Sequence, residues 1–284
     1  MSAAVQASRP DRTASRAAPR MTGTGLLDAL HAEWTKLRTI SGPGWLLLGV
    51  VALTIGLGVA AVGATHCPAG TQCAVDPTKL SLTGIEFGQA VVAILAVLTI
   101  GNEYSTGMIR VTLAAMPRRE LVYAAKAIVV TGMVLVAGAL AAGGSVLAGH
   151  LILPGHGFTA ARGFHVVSLS YGPTLRAAAG SVLYLGLIAL LSLGVAAVIR
   201  DSAVSIGAAL AVLYLFPIIL AFVTDPTWQH RLQRWTPTVA GLNIQATTGV
   251  RSLPISPWGG LGVLALWAGV ALLAGGCALR FRDA

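Results

Sequence analysis

The three lysines of this 284-residue chain, Lys36, Lys79 and Lys126, set the first limit on its chemistry. A loop that cradles nucleotide phosphates is rich in glycine and ends in Lys followed by Ser or Thr. None of the three follows a glycine, so the chain has no such loop and any nucleotide-derived energy must come from a partner. His66, His150, His156 and His165, with Cys67, are residue types that hold zinc or copper, but their spacings match no usual zinc pattern. We read them as histidines in aqueous loops and expect no metal site. No Ser-His-Asp, Cys-His or paired-carboxylate order stands out, so no cofactor or enzymatic activity is expected of the polypeptide itself.

Two smaller features stay open at this level. Glu86, in LTGIEFGQAVV, is the clear acid within an apolar run, with Gln89 on the same helical face. An ionisable group inside a bilayer is a functional candidate, here for a substrate path; a place near the end of the run fits plain interfacial exposure equally well. Cys67 and Cys73 frame HCPAGTQC, where Pro68 and Gly70 bend the chain. A disulfide and two free thiols are both compatible with that spacing. Cys277 falls in the last apolar run and reads as buried packing.

The elements that must position these groups follow from composition. The chain is 55% hydrophobic and 10% charged, with a mean hydropathy of +0.78, whereas a soluble domain carries about 25% charged residues. So few charges cannot cover a water-exposed surface, which makes this an all-α integral membrane protein. The net charge of +9 is spread between apolar runs and not gathered on a soluble domain. It therefore points to anionic head groups and the topology of insertion, and not to a nucleic-acid partner.

Residues 1–25 are rich in Ala, Ser, Arg, Thr and Pro and read as a disordered basic arm. A targeting peptide is the rival reading, though no apolar core with a cleavage site follows, and Met21 is an alternative start. Residues 26–284 form the membrane domain. It opens with LLDALHAEWTKLRT, in which Leu26, Leu30, Trp34 and Leu37 share a narrow sector at helical period, while Asp28, His31, Thr35 and Lys36 lie elsewhere. This is an amphipathic helix too short to span. With Glu33, Trp34, Lys36 and Arg38 it suits a place along the membrane surface.

Six runs are long enough, at about 20 residues, to cross roughly 30 Å of hydrocarbon. They lie near residues 44–64, 82–100, 121–149, 177–199, 203–223 and 258–279. Pro217 should kink the fifth. Rows of small residues, Gly56, Ala60, Ala64 and Ala137, Ala141, Ser145, Gly149, permit close helix contact, within the bundle or between subunits. Lys and Arg are concentrated in the connections that an N-in, C-in arrangement places in the cytoplasm. The connection from Thr224 to Pro257 carries Trp228 and Trp235, with Trp258 just after it, which suits an outer interface with short re-entrant helices.

Between the second and third runs stands GNEYSTGMIRVTLAAMPRRE, residues 101–120. Ser105 or Thr106 can cap a short helix and Pro117 ends it. Ile109, Thr112, Leu113 and Met116 share one face, with Arg110 opposite. A helix of two turns held between Asn102, Glu103 and Tyr104 on one side and Arg118, Arg119 and Glu120 on the other is more than a turn requires. It suits contact with a partner, or with head groups whose phosphates pair with the arginines.

AEWTKLRT, GNEYSTGMIRVTLAAMPRRE with its Glu-Tyr-x-x-Gly core, WTPTVAGLNIQA and LRFRDA, in that order, resemble the permease subunits of ABC-2 type transporters of high-GC Gram-positive bacteria. The resemblance covers the chain from about Leu26 onward, and the second stretch is its most specific part. It implies a six-span exporter subunit in a bacterial plasma membrane, working as a homodimer or paired with a related permease, on two separately encoded ATPase subunits that bind the ATP. By the same resemblance Asn102, Glu103, Tyr104, Ser105, Thr106, Gly107, Arg110, Arg118 and Arg119 would belong to the coupling element that seats on the ATPase. A membrane scaffold or sensor that moves nothing is the alternative reading.

Overall fold

The computed structural model describes residues 25–39, 41–68, 73–108 and 119–281. The segment up to residue 24 that was expected to be a basic arm, the segment 109–118 on which the expected coupling helix falls, with Arg110 and Arg118, and residues 282–284 lie outside the described residues. Every regular element among the described residues is helical, and six helical stretches are long and apolar enough to cross a membrane.

A short helix, α1 (Leu26–Thr39), lies against the first and third spans. The spans are α2 (Ser41–Ala64), then α4 (Ile85–Ser105), α5 (Arg119–Ile152), α6 (Gly172–Ile199), the interrupted α7 (Ser202–Leu210) and α8 (Phe216–Phe222), and finally α11 (Pro257–Phe281). Three short helices decorate the end opposite α1: α3 (Pro77–Ser81), α9 (Pro226–Trp235) and α10 (Pro237–Leu242). The most buried span, α6, sits centrally against α4, α5 and α11, while α2 packs on α4 and α5 from the other side.

Small residues set these crossings. A Cβ at Gly194 of α6 would overlap the Ala271 backbone of α11, and one at Gly84 would overlap the Thr54 carbonyl of α2. Van der Waals contact at such distances replaces the water-driven association that is missing in lipid. Ala137, Ala141, Ser145 and Gly149 are buried inside the bundle, with Gly149 against Ser81. Gly56, Ala60 and Ala64 are exposed; the buried row of α2 is instead Val50, Thr54, Gly58 and Val62.

The fifth span shows how a membrane helix absorbs a proline. Pro217 has no N–H to give to the carbonyl four residues back, that of Leu213. The helix widens there into a π-turn, Ala211–Leu215, and the Leu213 carbonyl accepts a hydrogen bond from the buried Thr238 hydroxyl of α10 at 3.0 Å. The expected kink is thus a local widening with a side-chain donor brought in from another element.

At the end opposite α1, Cys67 and Cys73 are joined in a disulfide, with Cα atoms 6.0 Å apart. Asp76 caps α3 by accepting from the amides of Thr78 at 3.1 Å and Lys79 at 3.2 Å. The same carboxylate accepts from the Thr247 hydroxyl at 2.7 Å and the Thr248 amide at 3.0 Å, tying the loop before the second span to the loop before the sixth. Cys277 is exposed, contrary to the expectation of buried packing, because it faces a groove between α11 and α5.

Candidate functional site

The polar end of the bundle is organised by four charges. On α1, Ala29, Glu33 and Leu37 fall at intervals of four and form the buried stripe, so Glu33 points inward while Trp34, at 49% exposure, points away. This rotates the inward face of α1 from the sector drawn through Leu26, Leu30 and Trp34. The helix α4 runs five residues past Ile100 and carries Glu103 inside its last turn, and Lys126 lies two turns into α5. All three are buried.

These residues and Lys36 close a ring. Lys36 Nζ is 2.9 Å from Glu33 Oε1 and 3.0 Å from Glu103 Oε1. Lys126 Nζ is 2.6 Å from Glu33 Oε2 and 3.0 Å from Glu103 Oε1. Two carboxylates and two ammoniums cancel, and each ion has two opposite partners. That arrangement offsets the desolvation which makes a lone buried charge untenable. Burial by itself would raise the Glu33 pKa, but the Lys126 charge and hydrogen bonds from Lys126 and Lys36 outweigh it and hold the carboxyl below its ordinary range. For Lys36 burial acts to lower the pKa, and hydrogen bonds and charge from Glu33 and Glu103 reverse this, leaving it raised. Glu103 Oε2 is buried and has no hydrogen-bond partner among the described residues. The ring fastens α1 to the end of α4 and the start of α5, the two spans that flank residues 106–118.

The neighbouring residues sort by face. Tyr104 is half-buried, with the Arg200 guanidinium 5.5 Å from its ring centre. Arg200 also donates to the Ala278 carbonyl at 2.8 Å, and Arg119 donates to the Leu279 carbonyl at 3.1 Å, so two cations close the C-terminal end of α11. The short helix that Ser105 or Thr106 was expected to cap lies outside the described residues. The Ser105 and Thr106 hydroxyls donate back to the Asn102 carbonyl at 3.1 and 2.6 Å and finish α4. Gly107 follows in the left-handed region at φ 69°, where a Cβ would be strained. Asn102, Ser105, Thr106 and Gly107 are exposed, as is Met108.

Arg38 is exposed on α1, and Trp34 lines one end of an apolar groove of about 640 Å³ between α2 and α5. Glu86 is exposed, whereas Gln89 is fully buried and its side-chain oxygen accepts from the Tyr184 hydroxyl. The two differ in depth, although their spacing of three sets them on one side of α4. At helical period they stand about 60° apart, and Glu86 is exposed because it lies in the first turn of α4 while Gln89 lies deeper in the bundle. Tyr214 donates to the Glu86 carbonyl at 2.6 Å. The histidines are distributed: His66 and His156 rings meet at 4.2 Å, His150 bonds the Val167 carbonyl at 2.8 Å, and His165 stacks on Tyr171. No group of three metal-ligating residues gathers among the described residues.

Sequence reasoning missed Lys126, Asp76 and Arg200. Lys126 could have been noticed, since a lysine inside an apolar run demands an acid nearby in space, though the sequence also offers Asp28, Glu120 and Asp201 beside Glu33 and Glu103. No family model matches the chain, and no curated protein matches it.

Proposed function

We propose that this chain is the membrane-spanning permease subunit of an ABC exporter, driven by a separate ATPase that docks at the connection between α4 and α5. The single observation that carries the reading is the ion ring of Glu33, Lys36, Glu103 and Lys126, which locks the surface helix to both spans bordering that connection. A push applied there moves three elements together instead of bending a loop. Six spans without a phosphate-binding loop, and the resemblance of residues 101–120 to the coupling segment of ABC-2 permeases, support the same reading.

In this account the end bearing α1 faces the cytoplasm of a bacterial cell, with both chain termini on that side, and the disulfide faces outward. Two permease subunits, identical or related, flank the transport path. Closure of the ATPases on ATP biases the pair between two packings of the spans, as a partner's differential binding energy must. Asn102, Ser105, Thr106 and Gly107 offer the contact surface, together with Arg110 and Arg118, while Glu103 and Tyr104 serve as internal anchors. The helix α1, through Trp34 and Arg38, rests on the lipid head groups.

Capture of the tagged chain from native membranes in mild detergent tests this. The expected partner is a P-loop ATPase in fixed stoichiometry, lost in Asn102→Arg/Thr106→Arg. A folded chain recovered without any ATPase, in complexes with other membrane proteins only, would favour the scaffold reading. Reversing Glu103 is a poor probe of docking because it breaks the buried ring.

A further inference from the structure

We propose that the apolar groove between α2 and α5 holds an anionic phospholipid of the leaflet on the α1 side, one acyl chain lying in the groove and the phosphate at Arg38. The groove is walled by Leu47 and Val51 on α2 and by Ile128, Val136 and Leu140 on α5, with Trp34 of α1 at one end. From Ile128 to Leu140 it follows about 18 Å of helix, against roughly 15 Å for half of the hydrocarbon thickness. It is therefore about as long as one leaflet is deep. Gly44 and Gly132 keep it open, since a Cβ at either would meet nothing within 4 Å.

The head-group end is cationic. Arg38 lies one turn beyond Trp34 on α1 and shortly before Gly44 in the chain, so connectivity holds it at the Trp34 end of the groove. It is exposed, and no acid pairs with it among the described residues. Glu33 is turned into the buried ring, and Asp28 stands about 15 Å away along α1. The negative end of α1 offsets part of the Arg38 charge, but a helix end amounts to only about half a charge, so a net cation remains. Trp34 is half-exposed between that cation and the apolar walls, where an indole suits the boundary of head group and chain. Cation, indole and apolar channel thus follow one another as phosphate, glycerol and acyl chain do in a leaflet. A second copy of the chain fits less well. A two-fold axis sets the same surface against itself, and two concave grooves face to face leave a void where packing is needed. The inference deepens the placing of α1 on the head groups and is independent of the ATPase.

The full chain, purified without any ATPase, is placed in phosphatidylcholine nanodiscs that carry a small fraction of probe lipid with a diazirine midway along one acyl chain. The probe is either phosphatidylglycerol or phosphatidylcholine, and adducts are mapped by mass spectrometry after irradiation. Adducts within residues 44–51 and 128–140 should be stronger with the phosphatidylglycerol probe, whereas adducts at the exposed Leu266 and Val270 of α11 should not distinguish the two. Gly132→Leu has room to fold and fills the groove, so it should abolish the groove adducts and leave those on α11. Arg38→Gln should lower the preference for phosphatidylglycerol about fivefold, the effect of one arginine near the surface, without changing the phosphatidylcholine adducts. Adducts spread evenly over groove and α11, no preference between the two head groups, or indifference to both substitutions would overturn the proposal. So would a disulfide between two chains through Val136→Cys, in a Cys277→Ser background, in place of lipid adducts, since a second copy would then fill the groove. Failure here leaves capture of the ATPase unaffected, and failure of that capture leaves these adducts unaffected.

Discussion

Replacing Lys126 by Met removes an ammonium that touches two buried carboxylates, Glu33 at 2.6 Å and Glu103 at 3.0 Å. What remains is two acids sharing Lys36, whose side chain is 29% exposed. Breaking a buried ion pair by deleting one partner destabilises by about 3–5 kcal/mol, and uptake of a proton by one of the stranded acids caps the loss. Two signatures follow. The difference between wild type and Lys126→Met should shrink as pH falls, because protonation relieves the variant while it weakens the wild-type ring. Adding Glu103→Gln should lessen the damage, because one acid and one base then remain paired, Glu33 with Lys36 at 2.9 Å. The two substitutions should depart from additivity by about 1–3 kcal/mol, as neighbours in one network do. Reversible unfolding in mixed micelles, followed by circular dichroism, measures all three proteins. A loss below about 1 kcal/mol, the size of an exposed surface pair, or strict additivity, would refute the claim that the ring is a buried, mutually dependent unit.

Further outcomes are expected elsewhere. Glu33 sits below its ordinary pKa, so its contribution to stability is complete above the usual carboxylate range and is lost as pH drops through its lowered folded value; Lys36 sits above its own, so its contribution holds until pH rises through that raised value. A pH series of unfolding should show a plateau between these limits. Thr238→Val should destabilise by about 1 kcal/mol by orphaning the Leu213 carbonyl, and should be nearly neutral in Pro217→Ala, where the restored N–H supplies that donor. Gly194→Ala should destabilise by roughly 1–3 kcal/mol through overlap with Ala271, while Gly269→Ala, with open space around it, should not. Under denaturing conditions one thiol per chain should react with maleimide before reduction and three after it.

The six spans were legible because crossing a membrane imposes a length and a composition that sequence displays directly. Their ends were less so. Ser105 and Thr106 read as the start of a helix, yet hydroxyls close to a terminus also serve a stop, and both reach back to the Asn102 carbonyl at the end of α4. The face of α1 was misjudged by hydrophobicity alone: Glu33 counts as polar in any periodicity, yet it is buried because Lys36 of its own helix and Lys126 of α5 meet it. Glu86 and Gln89 show the same limit, since spacing of three leaves the depth of each to the packing of neighbours. The stretch 101–120 drew notice as charge set among apolar runs, but the partners of Glu103 lie 67 residues before it, at Lys36, and 23 after, at Lys126. No local pattern encodes those distances.

The claim at the centre is that a separate ATPase seats on the connection after α4, and a photo-crosslinking residue placed at exposed Thr106 in native membranes addresses it most directly. The account predicts an adduct between this chain and a P-loop ATPase, formed from the cytoplasmic side. Adducts only to lipid, or to a protein outside the cell membrane, would contradict it.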